Sequence, residues 1–264
     1  MDATPSNSPA QAVLVPPIKL KLTKVTKTYS NGTQAVAALE PVSLEIREGE
    51  FVVFFGPSGC GKSTLLNIIA GFEGVTDGKI TLDGCPVEGP HHDRLMMFQE
   101  HGLFPWLNVI QNVTYGLKRQ FRFKPRDRRA HARQFLQMVH LGEFELARIH
   151  ELSGGMKQRV ALARALAPDP KVLLVDEPFG ALDAITRAKL YGDLQEIHQR
   201  THKTIILVTH DPNEAACLGD RVLVFSGRPG RVKADITISL PRPRAINDPA
   251  VAECAVGIMA QLEA

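Results

Sequence analysis

One short segment limits the fold more than any other part of this chain. GPSGCGKST, at residues 56–64, directly follows the apolar run FVVFF and directly precedes LLNIIAGF. A buried strand, a glycine-rich loop and a helix in this order form a phosphate-binding loop. Gly56, Gly59 and Gly61 let the backbone turn its N–H groups inward around phosphate oxygens, and the positive end of the following helix adds to the attraction. The segment predicts an α/β fold with an anion site at the end of a strand.

Two side chains of this loop carry chemistry that a phosphate site needs. Lys62 is expected to reach the β- and γ-phosphates of a nucleotide. The Ser63 hydroxyl is expected to bind Mg²⁺, which neutralises charge as the terminal phosphoryl group leaves. The alternative is a glycine-rich turn that binds nothing. The predicted nucleotide-binding residues of the loop are Gly56, Pro57, Ser58, Gly59, Cys60, Gly61, Lys62, Ser63 and Thr64.

Two further apolar runs, VLLV at 172–175 and TIILV at 204–208, have the pattern of parallel strands that helices cover on both faces. The first run ends in Asp176 and Glu177, at the edge where open α/β sheets bind ligands. Asp176 is suited to hold Mg²⁺, and Glu177 is suited to orient an attacking water or take its proton. One carboxylate here is common in an acidic turn, but two beside a phosphate-binding loop indicate a site.

A histidine, His210, follows the second run, so three strands are expected to bring polar ends to one edge of the sheet. A lone histidine at such a place is more often structural, and only this convergence favours a role in the reaction. His210 is then expected to hydrogen-bond to the γ-phosphate or to the attacking water.

The rest of the chain divides by its periodicity. Apolar and polar residues alternate at 18–28 and again at 42–50, which predicts half-exposed strands of an antiparallel sheet. Beyond residue 220, two strands are predicted around a Gly-Arg-Pro-Gly turn, followed by a tail with an apolar helical stripe. The expected organisation is a disordered tail at 1–17, a main domain at 18–240 with a basic helical subdomain at approximately 100–165, and an extension with a short helix at 241–264.

Composition limits the function. A chain of 264 residues with 44% hydrophobic content can bury a sizeable core. Its 31 basic and 28 acidic residues give a net charge of +3, too little to require nucleic acid as a partner. The stretch 118–133 is strongly basic, so a nucleic-acid or lipid-headgroup contact is an alternative there. A solvated helix face is the favoured interpretation.

The cysteines are far apart and lack metal-ligand spacing, which indicates free thiols in a reducing compartment. Cys60 lies near a helix N-terminus, where the pKa of a thiol falls, so it is expected to be the most readily alkylated cysteine if it is exposed. No run of 18 apolar residues and no signal peptide occur in the sequence, so we expect a cytosolic chain that a membrane partner can recruit. The four cysteines are Cys60, Cys85, Cys217 and Cys254.

A third motif, LSGGMKQR at 152–159, places a serine and two glycines before a helical run. Such a helix start is an anion site that needs no lysine of its own. With this motif the chain resembles the ATP-binding subunits of ABC transporters over roughly residues 18–240. The motifs follow the family's order: GPSGCGKST as Walker A, Gln99 in MMFQE as the Q-loop, LSGGMKQR as the signature, VLLVDEP as Walker B, ALD at 181–183 as the D-loop and His210 as the switch histidine.

The resemblance implies a P-loop NTPase core with a mainly parallel sheet, an antiparallel β subdomain and a helical subdomain that carries the signature. It implies ATP and Mg²⁺ as cofactors, with Gln99 joining Ser63 and Asp176 as metal ligands. The catalytic residues would be Glu177, His210, Lys62 and Gln99.

In this family two ATP-binding domains pack head to tail. The resemblance therefore implies that Ser153, Gly154 and Gly155 touch the γ-phosphate of ATP held by a second copy, with Asp183 at the same interface. Tyr29, in KTYSNG, matches the aromatic residue that stacks on adenine. The alternative for Tyr29 is an aromatic ring that closes the end of a strand.

Local motifs suggest a branch of the family. EHGLFPWLNVIQNV after Gln99, SGRPGRV and LPRPR resemble the nitrate, sulfonate and taurine importers of bacteria. Such a subunit would work at the cytoplasmic face of the inner membrane with a transmembrane permease, and indirectly with a periplasmic or extracellular solute-binding protein. The permease would dock near Gln99 and Phe104–Trp106, unless LFPW is core. No nucleic-acid partner is expected. The rival functions are a soluble ABC ATPase acting on nucleic acid or ribosomes, and the ATPase of an exporter or lipid-trafficking system.

Overall fold

The structure is a computed structural model, and it describes residues 15–30, 32, 34–98, 102–118, 124–180 and 182–263. The expectations for Gln99, and for most of the tail at 1–17, lie outside these residues.

The described strands form two sheets. They are β1 (Ile18–Ser30), β2 (Ala35–Arg47), β3 (Phe51–Phe55), β4 (Asp77–Leu82), β5 (Cys85–Pro86), β6 (Arg94–Met97), β7 (Val172–Asp176), β8 (Thr204–Thr209), β9 (Arg221–Ser226) and β10 (Arg231–Thr237). An antiparallel sheet has the order β2-β1-β4-β5, and a six-stranded sheet has the order β10-β9-β3-β8-β7-β6. In the larger sheet every neighbouring pair is parallel except β9 and β10. The mainly parallel sheet and the separate antiparallel sheet confirm the predicted fold class.

The helices divide between the sheet and a helical subdomain. They are α1 (Lys62–Ala70), α2 (Val109–Leu117), α3 (Pro125–Met138), α4 (Gly154–Leu166), α5 (Ala184–Thr201), α6 (Pro212–Leu218) and α7 (Pro249–Glu263). Helices α2, α3 and α4 pack on one another and lie in the segment whose pattern is helical. Over the described ranges, no helix combines the length and the apolar character that crossing a membrane requires.

The central sheet is buried on both faces, which explains its unbroken apolar runs. Along β3, Phe51, Val53 and Phe55 belong to one core cluster, which packs beneath α2 and α4 to α7. Val52 and Phe54 belong to a second cluster, which α1 shares with the antiparallel sheet. Burial of both faces removes the polar alternation that a half-exposed strand shows. The phosphate-binding loop thus follows a fully buried strand and leads into a helix held between two sheets.

The C-terminal helix α7 and the described part of the basic stretch at 118–133 both contact other parts of the chain. The apolar stripe of α7 packs on its own domain, with Val251, Ala255 and Ile258 buried in the first cluster. On α3, Arg129 and Arg133 form salt bridges with the carboxylate of Glu145. The two guanidinium groups, Arg133 above all, lower the pKa of Glu145 to about 2. These exposed pairs suit the interpretation of a solvated helix face.

Candidate active site

Three neighbouring parallel strands bring their carboxyl ends to one edge of the larger sheet. Phe55 at the end of β3 pairs with Thr209 at the end of β8, and Asp176 at the end of β7 pairs with Val208. The phosphate-binding loop, the acidic pair and His210 therefore leave the sheet side by side. The convergence expected from the three apolar runs is confirmed.

The loop closes around the ammonium group of Lys62. Its Nζ donates to the carbonyl oxygens of Gly56 at 2.7 Å and Pro57 at 2.8 Å, and only 4% of the residue is exposed. Within the described part of the chain, the backbone N–H groups from Gly59 to Thr64 have no hydrogen-bond acceptor, and the first bond of the helix runs from Leu65 N–H to Gly61 O. Such donors at a helix start are an anion site.

Two oxygen ligands lie together beside the loop. The Ser63 hydroxyl donates to Asp176 Oδ1 at 3.0 Å. Burial raises the pKa of Asp176 above its usual value, and the nearby charge of Glu177 adds to the rise, while the Ser63 hydrogen bond and Lys62 oppose it. A hydroxyl and a partly buried carboxylate are oxygen donors of the kind that Mg²⁺ prefers, and Mg²⁺ completes its shell with phosphate oxygens and water. The residues therefore fit this ion.

Glu177 occupies a strained position next to the cavity. Its φ is 40°, in the left-handed region that residues with a side chain rarely adopt, and its N–H donates to Val208 O at 3.1 Å. His210 Nδ1 lies 3.3 Å from Glu177 Oε2. A cavity of about 380 Å³ opens over the loop, and its lining includes Lys62, Ser63 and Glu177. Glu177 and the phosphate-binding loop thus line the same cavity, and His210 lies beside Glu177.

A buried carboxyl group behind His210 was not expected from the sequence. Thr209 Oγ1 donates to Glu214 Oε2 and accepts the N–H of Asp211. The residues before and after His210 in the chain are therefore hydrogen-bonded to each other. The Asp211 carboxylate caps α6, and Pro212 is its first residue. Asp before Pro at the start of a helix could have been read from the sequence. The Thr209–Glu214 pairing could not, because it depends on the depth at which α6 packs.

The pKa of Glu214 supplies a test by pH. Burial raises this pKa to about 8. The unfolded carboxyl titrates near its ordinary value, so the unfolded chain loses this proton first, and the stability of the native state falls as pH rises from about 5 to 8. The slope is at most about 1.4 kcal/mol per pH unit. We expect Glu214→Gln to gain thermal stability relative to wild type as pH rises through this window.

Melting temperatures of both proteins between pH 5 and 8 check this prediction. The matched control is Glu253→Gln, which alters an exposed glutamate of α7 and should keep the wild-type pH profile. A constant difference between wild type and Glu214→Gln across the window would show that Glu214 is ionised in the fold.

The signature residues lie away from this cavity. Ser153 caps α4 by accepting the N–H of Met156 at 3.3 Å. A Cβ on Gly155 would lie 2.3 Å from Thr186 Cγ2 of α5, so this glycine allows the two helices to approach. Neither Ser153 nor Gly154 nor Gly155 lines the cavity over the phosphate loop of the same chain.

Helix α4 is nevertheless joined to the acidic pair. The buried side chain of Gln158 donates through Nε2 to the carbonyl oxygen of Pro178 at 2.5 Å, one residue after Glu177. Asp183 caps α5 by accepting the N–H groups of Ile185 and Thr186, and these hydrogen bonds lower its pKa. Pro178 is therefore bonded to α4, and Asp183 to the start of α5.

Tyr29 lies near the end of β1 with 40% of its surface exposed. Its hydroxyl donates to Glu73 Oε2 at 2.5 Å, and Lys27 Nζ lies 4.9 Å from the ring centroid. Burial and the Glu73 hydrogen bond raise the pKa of the phenol. The ring is accessible, but it lies outside the lining of the cavity over the phosphate loop.

Cys60 does not meet the condition of exposure on which its predicted reactivity depends. Only 1% of Cys60 is exposed, and its side chain belongs to the core cluster shared by α1 and the antiparallel sheet. The turn at Gly230 packs against its backbone, where a Cβ on Gly230 would lie 2.0 Å from Cys60 O. Tertiary packing therefore overrides the reactivity that a helix N-terminus favours. The Cys60 sulfur faces inward and accepts from Lys62 Nζ at 3.8 Å.

The order of thiol labelling follows from burial. Cys85 is exposed, Cys254 is half-buried with its pKa raised by burial, and burial raises the pKa of Cys217 to about 11. We expect a maleimide to modify Cys85 first and to leave Cys60 unmodified with or without MgATP. Peptide mapping by mass spectrometry measures this order, with Cys85→Ser as the control. Rapid modification of Cys60 in the folded protein would contradict the packing of the loop.

The LFPW segment lies at the rim of a large groove. Phe104 is half-buried, and its ring lies 4.4 Å from that of Tyr115. Trp106 is 69% exposed, which excludes it from the core. The buried Asn112 fixes the segment, because its Oδ1 accepts the N–H of Phe104 and its Nδ2 donates to the carbonyl oxygens of Phe104 and Leu107. The groove, of about 1030 Å³, runs between the β6 edge of the sheet and α2 and α4.

The loop has N–H groups without acceptors, lines one cavity with Glu177 and bonds to Asp176 through Ser63, and this arrangement suits the polyphosphate of a nucleotide. The fold and the site together define the chain as a P-loop nucleotide-hydrolysing protein. More narrowly, it belongs to the ABC transporter family, whose sequence model matches residues 39–180. The ATP-binding subunits of this family hydrolyse ATP to power transport, and this chain is an ATP-binding transport ATPase of the same kind.

Individual proteins agree with this assignment. The taurine import ATP-binding protein TauB of Burkholderia pseudomallei is 48% identical over 232 residues, which is 88% of each chain. The nitrate import ATP-binding protein NrtD of Synechocystis is 47% identical over 222 residues, 84% of this chain and 83% of the relative. A dimeric ATP-binding cassette solved in a post-hydrolysis state with ADP and Pi superposes with a TM-score of 0.74 at 36% identity, covering 84% of this chain and all of the other.

Proposed function

We propose that this chain is the energy-supplying subunit of a bacterial importer for a small solute of the nitrate, sulfonate or taurine kind. The single observation that carries the proposal is the cavity at the sheet edge, which the phosphate-binding loop lines together with Glu177, the side chain that His210 contacts. The similarity to TauB and NrtD over most of both chains supports the class of solute.

The residues at the sheet edge divide the work of hydrolysis. The N–H groups from Gly59 to Thr64 and the ammonium of Lys62 bind the β- and γ-phosphates. Glu177 orients the attacking water and accepts its proton, and His210, 3.3 Å from Glu177, holds the water or the γ-phosphate. Tyr29 stacks on adenine, and Gln99 reports the state of the γ-phosphate.

Ser63 and Asp176 would hold Mg²⁺, with Gln99 as a further ligand. When bound, Mg²⁺ neutralises charge that develops on the phosphate oxygens. Burial raises the pKa of Asp176. A carboxylate of this kind gains its ionised form when a cation binds.

The second half of each ATP site comes from another copy of the chain. Ser153 accepts a hydrogen bond in capping α4, so its O–H is available as a donor to an anion, together with the N–H groups of the helix start. Because these groups lie outside the cavity of their own chain, a head-to-tail dimer would place them on ATP bound by the second copy. Asp183 would lie at the same interface. The dimeric cassette among the similar structures supports this arrangement.

The groove beside LFPW would receive a helix of the permease. Its walls come from the larger sheet, through Leu95 and Met96, and from the helical subdomain, through Phe104 and Tyr115. Apolar floors with polar rims are typical of docking surfaces. A permease helix bound there would move when the helical subdomain rotates relative to the larger sheet. The same contact would hold the chain at the cytoplasmic face of the inner membrane. A solute-binding protein would select the solute.

The test begins with membranes from cells that express a tagged form of the chain. We expect a permease to co-purify. The complex reconstituted in liposomes should transport taurine, a sulfonate or nitrate only when MgATP is present on the side of the membrane that carries this subunit. Lys62→Ala should assemble normally and import nothing. Recovery of ribosomes or nucleic acid without a permease would overturn the proposal.

A further inference from the structure

An arginine outside the recognised motifs lies against the phosphate-binding loop. Arg228, in the turn between β9 and β10, donates through Nε to Gly59 O at 3.1 Å and through Nη2 to Ser58 O at 3.4 Å. The same residue lines the cavity that Lys62 and Glu177 share. Gly59 makes the contact possible, because a Cβ at this position would lie 2.0 Å from Arg228 Nη2.

The two hydrogen bonds fix the direction of two peptide groups. A trans peptide is planar, and its C=O and N–H point to opposite sides. The carbonyl of Ser58 shares its peptide with the N–H of Gly59, and the carbonyl of Gly59 shares its peptide with the N–H of Cys60. With both carbonyls directed to Arg228, both N–H groups point away from it. Among the residues that the structure describes, neither N–H has an acceptor.

The turn that carries Arg228 is itself held firmly. Gly230 N–H donates to Ala38 O at 2.8 Å, and Glu40 N–H donates to Gly230 O at 2.9 Å, so the turn is bonded to β2 of the other sheet. The guanidinium forms no salt bridge with a carboxylate in the described parts of the chain. Its positive charge is therefore spent on the loop carbonyls.

We propose that Arg228 is a positioning residue of the nucleotide site, which holds the Gly59 and Cys60 N–H groups in the direction that binds polyphosphate. Charge on the donor strengthens such hydrogen bonds and polarises the peptides that accept them, so the opposite N–H groups become better donors. Without the guanidinium, glycine's freedom at Gly59, where φ is 76°, lets these peptides turn and present carbonyl oxygens to the phosphates. The inference rests on the proposed role of the phosphate-binding loop.

The experiment compares Arg228→Gln with Arg231→Gln, a matched control that removes the same charge from an exposed arginine at the start of β10. Affinities for MgATP and MgADP are measured by displacement of a fluorescent nucleotide, together with kcat, KM and the melting temperature without nucleotide. For Arg228→Gln we expect both affinities to fall by roughly tenfold, as the loss of two charge-assisted hydrogen bonds predicts. KM should rise with kcat nearly unchanged, because Glu177 is untouched. Arg228→Lys should recover part of the loss.

Three results would overturn the proposal. Wild-type affinity in Arg228→Gln would show that the loop keeps its direction unaided. Loss of ATP affinity with ADP affinity intact would mean that the guanidinium meets the γ-phosphate or a second copy instead. A fall in melting temperature that Arg228→Lys does not repair, with both affinities normal, would make the residue structural. Lys62→Ala keeps the two proposals apart: wild-type nucleotide binding that this variant abolishes supports the proposed function whatever Arg228→Gln does, whereas a wild-type protein that binds no nucleotide overturns both.

Discussion

Glu177→Gln will bind MgATP with nearly wild-type affinity and lower kcat by roughly 10²–10⁴-fold, because the amide keeps the shape of the side chain but cannot accept a proton. Lys62, Ser63 and Asp176, which bind the polyphosphate and the cation in the proposed site, are unchanged. The variant should therefore accumulate as an ATP-bound dimer. Phosphate release measures the loss of turnover, and size-exclusion chromatography with and without ATP measures the dimer.

A control for charge is Glu196→Gln. Glu196 pairs with Arg200 on the exposed face of α5, far in sequence from the phosphate-binding loop, and its loss should leave turnover unchanged. Near-normal turnover in purified Glu177→Gln would remove Glu177 from the role of base and leave His210 as the group to test next.

The double variant Phe104→Ala, Trp106→Ala should separate hydrolysis from transport. Trp106 is 69% exposed and Phe104 lies at the groove, so truncating both rings removes a docking surface while leaving the core intact. We expect basal ATPase to persist, whereas co-purification with the permease and substrate-stimulated ATPase fall by more than roughly tenfold, as for central aromatic residues of an interface. The melting temperature of the free subunit should fall by less than about 4 °C.

The matched control for this variant is Phe144→Ala, which truncates a 43% exposed aromatic ring in the helical subdomain, outside the groove. It should keep permease binding. A large loss of stability in the free double variant, with permease binding proportional to the folded fraction, would show that the segment serves folding and that the groove docks nothing through these rings.

Much of the fold could be predicted because its signals are local. The buried strands β3, β7 and β8 contain unbroken apolar runs, and β1 alternates between apolar and polar residues from Ile18 to Thr23. Strands β4 and β5 are absent from the sequence prediction, and two further features also differ from it. Strand β2 begins at Ala35, ahead of its alternating part, in a stretch that contains Pro41. Strand β6 has only four residues and includes Arg94. Pairing with neighbouring strands, which no local pattern reveals, defines both.

The candidate site divides in the same way. Lys62, Ser63, Asp176 and Glu177 lie within short motifs whose spacing is fixed by a strand end and a helix start. The burial of Cys60, the pairing of Thr209 with Glu214 and the contact of Arg228 with Gly59 depend on segments packed together in space. A turn motif could be read at 227–230, but its seat on the phosphate-binding loop is a property of the assembled sheets.

In the proposed dimer, the hydrogen bond from Gln158 to Pro178 connects parts of one chain that act on two different ATP molecules. Glu177, beside Pro178, serves the ATP that its own chain binds, whereas the start of α4 serves the ATP of the neighbour. The buried amide of Gln158 thus links Glu177, the proton acceptor at one ATP site, to the helix start that contacts ATP at the other site. A displacement of the end of β7 during ATP cleavage would move α4 and weaken its contact with the nucleotide bound by the second copy. The two sites would then hydrolyse ATP one after the other rather than independently.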